Sequence, residues 1–249
     1  MLIRYPAEPK GIIQAGVLHY REGVMVSPRH EQSLLPMWET DVEDRDVAER
    51  YQQLVKKERW GKELDNCKLT GMLFMALRCQ KPPWQLMLNT VGELLNNGPR
   101  FVYTGAGDSS RKLLRCCRQV AREIHCLSGY VRLDVAADGV LVGKAPLTHN
   151  CGDLVALALA RRNPGQPLAL LTPTGNWFVA NGSVAPLKGL DYSQVEDTEL
   201  RQAWLAYYRT QFVAQRNNPR HAARAIPQRY WAWLAEGEEL AEKKYTSGR

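Results

Sequence analysis

Between Leu200 and Ala235 the sequence contains no lysine, aspartate or glutamate, yet it carries six arginines. A merely solvated helix face mixes both signs and favours lysine, so the absence argues against an ordinary charged surface. Other absences narrow the class. No run of the ~20 apolar residues that a membrane helix needs is present, and the most apolar stretch is short, Leu154 to Ala160. The opening MLIRYPAEPKGIIQAGV lacks the apolar core and small-residue cleavage site of a secretory signal. Cys67, Cys79, Cys116, Cys117, Cys126 and Cys151 form no C-x-x-C pair, so no metal site and no cofactor is expected. Reduced, mostly buried thiols and a cytoplasmic location follow as expectations. Nucleophile elbows, Walker loops, dinucleotide glycine fingerprints and H-E-x-x-H zinc motifs are all missing.

What remains is a folded chain of 249 residues with a net charge of +7, which favours polyanionic partners. Composition separates an N-terminal segment, residues 1–60, from a main α+β domain, residues 61–249, unless 1–249 is continuous. In the first segment, an acidic stretch, ETDVEDRDVAER, leads into a helix whose Val47, Tyr51, Leu54 and Val55 recur at helical spacing. LTGMLFMALRC and WQLMLNTVGELLNNG read as core helices, the second stopped by Asn97-Gly98-Pro99. GYVRLDV, a turn at Ala137-Asp138-Gly139 and VLVGK predict a hairpin, and CGDLVALALARR predicts a helix. LALLTP, NWFVA and a short strand after Asn181-Gly182 complete a small, mostly antiparallel sheet with one packed helix. The expected fold is therefore α+β: a helical N-terminal half, that sheet, and a helical tail rich in arginine and aromatic residues.

The segment from about Arg111 to Leu127 predicts a two-faced helix, capped by Ser109 or Ser110. Arg111, Arg115, Arg118, Arg122 and His125 follow a 4-3-4-3 spacing along one stripe; Leu113, Cys117, Val120, Ile124 and Leu127 do so on the opposite side. Glu123 is the one acid within this span and lies off the basic stripe, so ion-pair partners on the helix are scarce. Such a row can track phosphates or meet the acidic N-terminal segment. In the tail, Arg216, Arg220, Arg224 and Arg229 are interleaved with aromatic residues including Tyr230 and Trp231, and Pro219 and Pro227 split the helix. Guanidinium forks suit phosphate oxygens and aromatic faces accept bases, although a Trp such as Trp231 is more often a core anchor.

Thr148-His149-Asn150 stands just before the helix that begins near Cys151. Backbone amides there attract anions, so His149 and Asn150 could bind a phosphate or hold a water; equally, Thr148 or Asn150 could simply cap the helix. His125 ends the basic stripe near a helix C-terminus, where a cation is favoured.

Taken in order, HYREG, QSLLPMWETDVEDRDVAERYQQL, REIHCLSGYVRL, PLTHN and NNPRHAARAIPQRYWAWLAEG resemble a family of bacterial DNA metabolism proteins defined by a domain of unknown function. The resemblance implies a setting: such proteins occur beside a radical SAM protein similar to spore photoproduct lyase, and related domains are fused to a uracil-DNA-glycosylase-like domain. Matching positions are His125, Gly129, Arg132, His149, Asn150, Asn218, Pro219, Arg220, Tyr230 and Trp231. Two departures stand out. Where the family has E-P-D-H-N this chain has Pro146 to Asn150 without either acid, and where it has H-R-M-K this chain has His125-Cys126-Leu127-Ser128.

These readings combine into an expectation of DNA binding in repair or modified-base metabolism. Arg111, Arg115, Arg118, Arg122, Arg132 and the tail arginines would hold phosphates, with Tyr230 and Trp231 as further contacts. His149, Asn150 and His125 are the candidate catalytic residues of a DNA-glycosylase-type hydrolase acting on an everted base, with Asp134, Asp153 or a neighbour brought in by folding to polarise water. The alternatives are a non-catalytic DNA-binding partner of a radical SAM or uracil-DNA-glycosylase-like protein, and an RNA-binding protein.

Overall fold

A computed structural model describes residues 2–29, 39–189, 194–195, 198–210, 230–231, 234 and 237. The chain divides into two compact units, Met1–Arg122 and Glu123–Arg249. The boundary falls inside one long helix.

The first unit opens with β1 (Leu2–Tyr5), α1 (Pro9–Glu22), β2 (Met25–Pro28) and β3 (Glu39–Asp41). The three strands form a parallel sheet in the order β2-β1-β3, with Ile3 opposite Val26 and Thr40. Parallel pairing of β1 with β2 requires a crossover, and α1 supplies it. This sheet departs from the expected helical N-terminal half. Its strands are only three or four residues long, too short for alternation to register. Pro9 sits in the first turn of α1, where its missing N–H costs nothing, and Gly23 ends the helix in a left-handed conformation at φ 68°.

Then come α2 (Arg45–Lys57), a 3-10 turn (Gly61–Asp65), α3 (Cys67–Leu77), α4 (Trp84–Asn97) and α5 (Pro99–Thr104). Ile12, Val17 and Leu18 of α1, Val47 of α2, Leu69 and Leu73 of α3, and Met87 and Val91 of α4 form one core, so the first sixty residues share their interior with the helices that follow. Burying each Leu or Ile side chain contributes roughly 1.5–3 kcal/mol. The α1–α4 contact is close because of two glycines. A Cβ on Gly16 would lie 2.8 Å from Val91, and one on Gly92 would lie 2.6 Å from the Tyr20 ring. Asn97-Gly98-Pro99 stops α4 as expected, and Pro99 then starts α5.

Helix α6 (Asp108–Tyr130) runs from the first unit into the second. It begins three residues earlier than the apolar pattern suggests and absorbs Gly129 and Tyr130, which the sequence pattern assigns to a strand. The second unit continues with β4 (Leu133–Val135), β5 (Leu141–Lys144), α7 (Gly152–Arg162), β6 (Leu168–Leu171), β7 (Trp177–Ala180), β8 (Ser183–Pro186) and α8 (Thr198–Thr210). Its five strands lie in chain order, and three of the four pairings are antiparallel. The exception is β5–β6, which is parallel because α7 carries the chain back across the sheet. Asp138 accepts from the backbone N–H of Val140 at 3.1 Å in the β4–β5 turn, and Gly139 takes φ 80°. Asn181 and Gly182, with φ of 50° and 76°, turn β7 into β8, the backbone that an Asn-Gly hairpin requires. Helix α7 packs on β6, β7 and β8. The α+β class therefore holds. No helix among the described residues is long and apolar enough to cross a membrane.

Candidate nucleic-acid interface and a buried carboxylate

The part of α6 in the first unit is anchored at its start by a residue from another helix. Glu93 of α4 accepts the backbone N–H of Ser109 at 2.9 Å and of Ser110 at 3.0 Å. Neither serine caps the helix through its own side chain. A distant carboxylate satisfies these first-turn donors and complements the helix dipole at the same time. Gly107 makes room for it: a Cβ there would stand 2.2 Å from Glu93 Oε2.

From that anchor the apolar stripe turns inward. Leu113 and Val120 are buried, and the Cys117 thiol donates to the Met72 carbonyl at 3.2 Å. Arg111, Arg115, Arg118 and Arg122 are all exposed. Arg111 is tied to Asp108 at 2.8 Å, and Lys112 to the same carboxylate at 2.6 Å. Hydrogen bonds from Lys112 and then Arg111 hold the Asp108 carboxyl below its ordinary pKa. Arg115, Arg118 and Arg122 form no ion pair among the described residues. From Arg111 to Arg122 the row is about 16 Å long, the rise of roughly five phosphates along one strand.

The acidic N-terminal segment is engaged elsewhere. Asp41 and Glu43 both pair with Arg29 at 2.6 Å, and Glu49 pairs with Arg45 at 3.0 Å. Arg29 in turn holds the Asp41 carboxyl below its usual range. Asp44 accepts from the Asp46 backbone and caps α2. Asp41, Glu43 and Glu49 therefore meet local arginines and Asp44 a local backbone N–H, not the α6 row.

In the second unit the organising group is Glu123, only 4% exposed. Its carboxylate accepts the backbone N–H of Thr148 at 3.0 Å and of His149 at 2.8 Å. The Tyr230 hydroxyl lies 3.5 Å from Oε1 and the Cys151 thiol 3.8 Å from Oε2. Burying a carboxylate is costly unless it is hydrogen-bonded, and these donors offset that cost. In the sequence Glu123 stands out only as an acid off the basic stripe. The signal of its burial is its position: three residues after Val120 and four before Leu127, on the side of α6 that faces inward.

This contact also decides how α7 begins. Cys151 occupies its N-cap position, and its side chain makes no capping hydrogen bond, so neither Thr148 nor Asn150 stands at the N-cap position that their residue types suggest. The loop is held from outside, with His149 half-buried and Asn150 exposed. His125 is not brought to this contact. It stands two residues from Glu123, about 200° round the helix, and is exposed. Arg132 is half-buried just after α6 and donates to the Gly129 carbonyl at 3.3 Å.

Tyr230 and Trp231 are 2% and 7% exposed. Both are buried, as the core-anchor reading of Trp231 expects and unlike a surface contact, and Tyr230 packs near Tyr130 with ring centroids 6.3 Å apart. Arg216, Arg220, Arg224 and Arg229 lie outside the described residues. Among the described residues, no three His, Cys, Asp or Glu side chains converge to hold a metal ion.

Comparison with curated proteins and with solved structures gives no match. A family model does match, from Lys81 in the turn before α4 through the Glu123 contact to the buried tail aromatics. The chain belongs to the family defined by a domain of unknown function, DUF4130, which spans residues 81–236, more than half of its length.

Proposed function

We propose that this protein binds DNA through the exposed arginine row of α6, in the service of DNA repair or modified-base metabolism. One observation carries the reading: Arg115, Arg118 and Arg122 are exposed along one helix stripe with no ion pair among the described residues, while Asp41, Glu43 and Glu49 of the acidic N-terminal segment pair with other arginines. A guanidinium row of this kind suits phosphate oxygens, and binding by it releases counterions. The DNA-metabolism setting comes from the family resemblance and supports the choice of DNA over other polyanions.

A second reading rests on Glu123. A buried carboxylate orders the loop that carries His149 and Asn150, as a site acting on an everted base would need. Because its oxygens already accept backbone N–H groups, Glu123 is a positioning residue, and His149 and Asn150 are the groups that would meet a base.

Binding to DNA and RNA of equal length, measured across salt concentration, tests the first reading. Affinity must fall steeply with salt, and a flat profile would overturn it. Incubation with a panel of damaged or modified DNA, followed by alkali to reveal abasic sites, tests the second. Absence of cleavage across the panel leaves the protein a binding partner for a separate repair enzyme.

A further inference from the structure

Helix α3 carries an outer face that the core does not use. Leu69, Leu73 and Ala76 point inward and are fully buried. Round the helix from them, Lys68, Gly71, Phe74 and Arg78 form a row at 3-3-4 spacing. Phe74 is 39% exposed, one of few large apolar side chains on the described surface. The Arg78 guanidinium lies over its ring, 3.6 Å from the centroid, and donates from Nη1 to the Phe74 carbonyl at 3.2 Å. At the other end, the Lys68 ammonium sits 5.7 Å from the Tyr103 ring.

Gly71 lies between them. A Cβ on it would meet nothing within 4 Å. Glycine inside a helix costs about 1 kcal/mol relative to alanine, and here neither packing nor a left-handed backbone explains it. What it leaves is an open shelf one turn from an exposed aromatic ring. Positive charge predominates along the face, with Glu63 at its N-terminal end, where it accepts from Asn66 Nδ2 at 2.9 Å. From Asn66 to Gly107 the sequence contains a single acid, Glu93, and that carboxylate is occupied by the Ser109 and Ser110 amides.

We infer that this face of α3 is a stacking platform for unpaired nucleobases, so that the protein takes single-stranded nucleic acid as well as tracking phosphates. A partly exposed aromatic ring stacked by a guanidinium, open space beside it where no side chain stands, and flanking cations suit base stacking with backbone neutralisation. A base inside a duplex has no free face to offer, so the platform discriminates strand state. The inference deepens the proposed function by naming the strand state, and it rests on that reading.

The test compares wild type with Phe74→Ala, Phe74→Trp and Gly71→Leu, using a thymidine oligonucleotide of about twelve residues and a duplex of equal length. Gly71→Leu fills the shelf with a better helix former, so loss of the fold does not explain its effect. Phe74→Ala and Gly71→Leu should each weaken single-strand binding about tenfold and leave duplex binding unchanged. Phe74→Trp should retain it. A 2-aminopurine within the strand should be quenched by wild type and not by Phe74→Ala. Unchanged single-strand affinity in both loss variants, or equal losses on duplex, overturns the platform. Duplex binding that depends on Arg115, Arg118 and Arg122 would survive that result and keep the proposed function. If wild type binds neither strand state, both readings fall.

Discussion

The carboxylate of Glu123 accepts the backbone N–H of His149 at 2.8 Å, joining residues 26 positions apart. With the Thr148 N–H on its other oxygen, it does for the α7 entry loop what Glu93 does for the start of α6. Each unit thus uses a glutamate from a preceding stretch of helix to hold two consecutive backbone donors.

Removing the Glu123 carboxylate should therefore cost more than a typical surface change. Glu123→Ala leaves two backbone donors without their acceptor and is expected to destabilise the fold by about 2–4 kcal/mol, with Glu123→Gln roughly half as damaging. Urea unfolding of both variants measures this. Stability equal to wild type in Glu123→Ala would show that the loop is held by something else.

A matched experiment applies to the α6 anchor. Gly107→Ala places a Cβ 2.2 Å from Glu93 Oε2 and must displace that carboxylate from the Ser109 and Ser110 amides. The expected loss is about 1–3 kcal/mol, and Glu93→Ala should destabilise as well. Because both changes break the same pair of hydrogen bonds, the double variant should lose less than the sum of the singles. Additive losses would separate the two effects.

The arginine row separates binding from stability. Replacing Arg115, Arg118 and Arg122 together by alanine should leave the unfolding midpoint nearly unchanged, since none has an ion pair among the described residues. The slope of log affinity for DNA against log salt should shrink by about 0.9 for each phosphate that is no longer neutralised. A slope identical to wild type would remove the row from the interface.

Buried thiols set the alkaline limit. Burial pushes the Cys79 thiol up to about 12 and the Cys117 thiol up to about 11, from an ordinary 9.0. Burial also raises the Tyr51 hydroxyl to about 12. Folding therefore favours the neutral forms. The thiol contribution is fully present below pH 9.0 and is lost as pH rises through 11 to 12. Unfolding midpoints should be flat below pH 9.0 and fall progressively from there up to 11 to 12, with a shallower fall in Cys79→Ala. Under native conditions near neutral pH, alkylation should reach exposed Cys67 well before Cys79. Equal labelling rates would contradict the burial.

Some of this fold is legible from local pattern and some is not. Helices α4, α6 and α7 show apolar spacing, and for α4 and α7 the runs Asn97-Gly98-Pro99 and Asn163-Pro164-Gly165 mark ends that the structure keeps. The turns at Asp138-Gly139 and Asn181-Gly182 are equally local, because the backbone they need admits few residue types. The parallel sheet of the first unit leaves no such trace. LIRY, MVSP and ETD are too brief to alternate, and their pairing is made by a crossover helix and a core drawn from later residues.

The periodicities are written in the chain itself: which side of α6 is apolar, where its arginines align, and which residues break a helix or turn a hairpin. Those follow from backbone geometry acting over a few neighbours. Only the folded arrangement buries Glu123 beneath the His149 loop, secures α6 through Glu93 and not a serine, and takes Tyr230 and Trp231 inside. Each depends on groups brought together from distant parts of the chain. The free energy of burying a carboxylate or a ring is settled only when the groups that surround it have arrived.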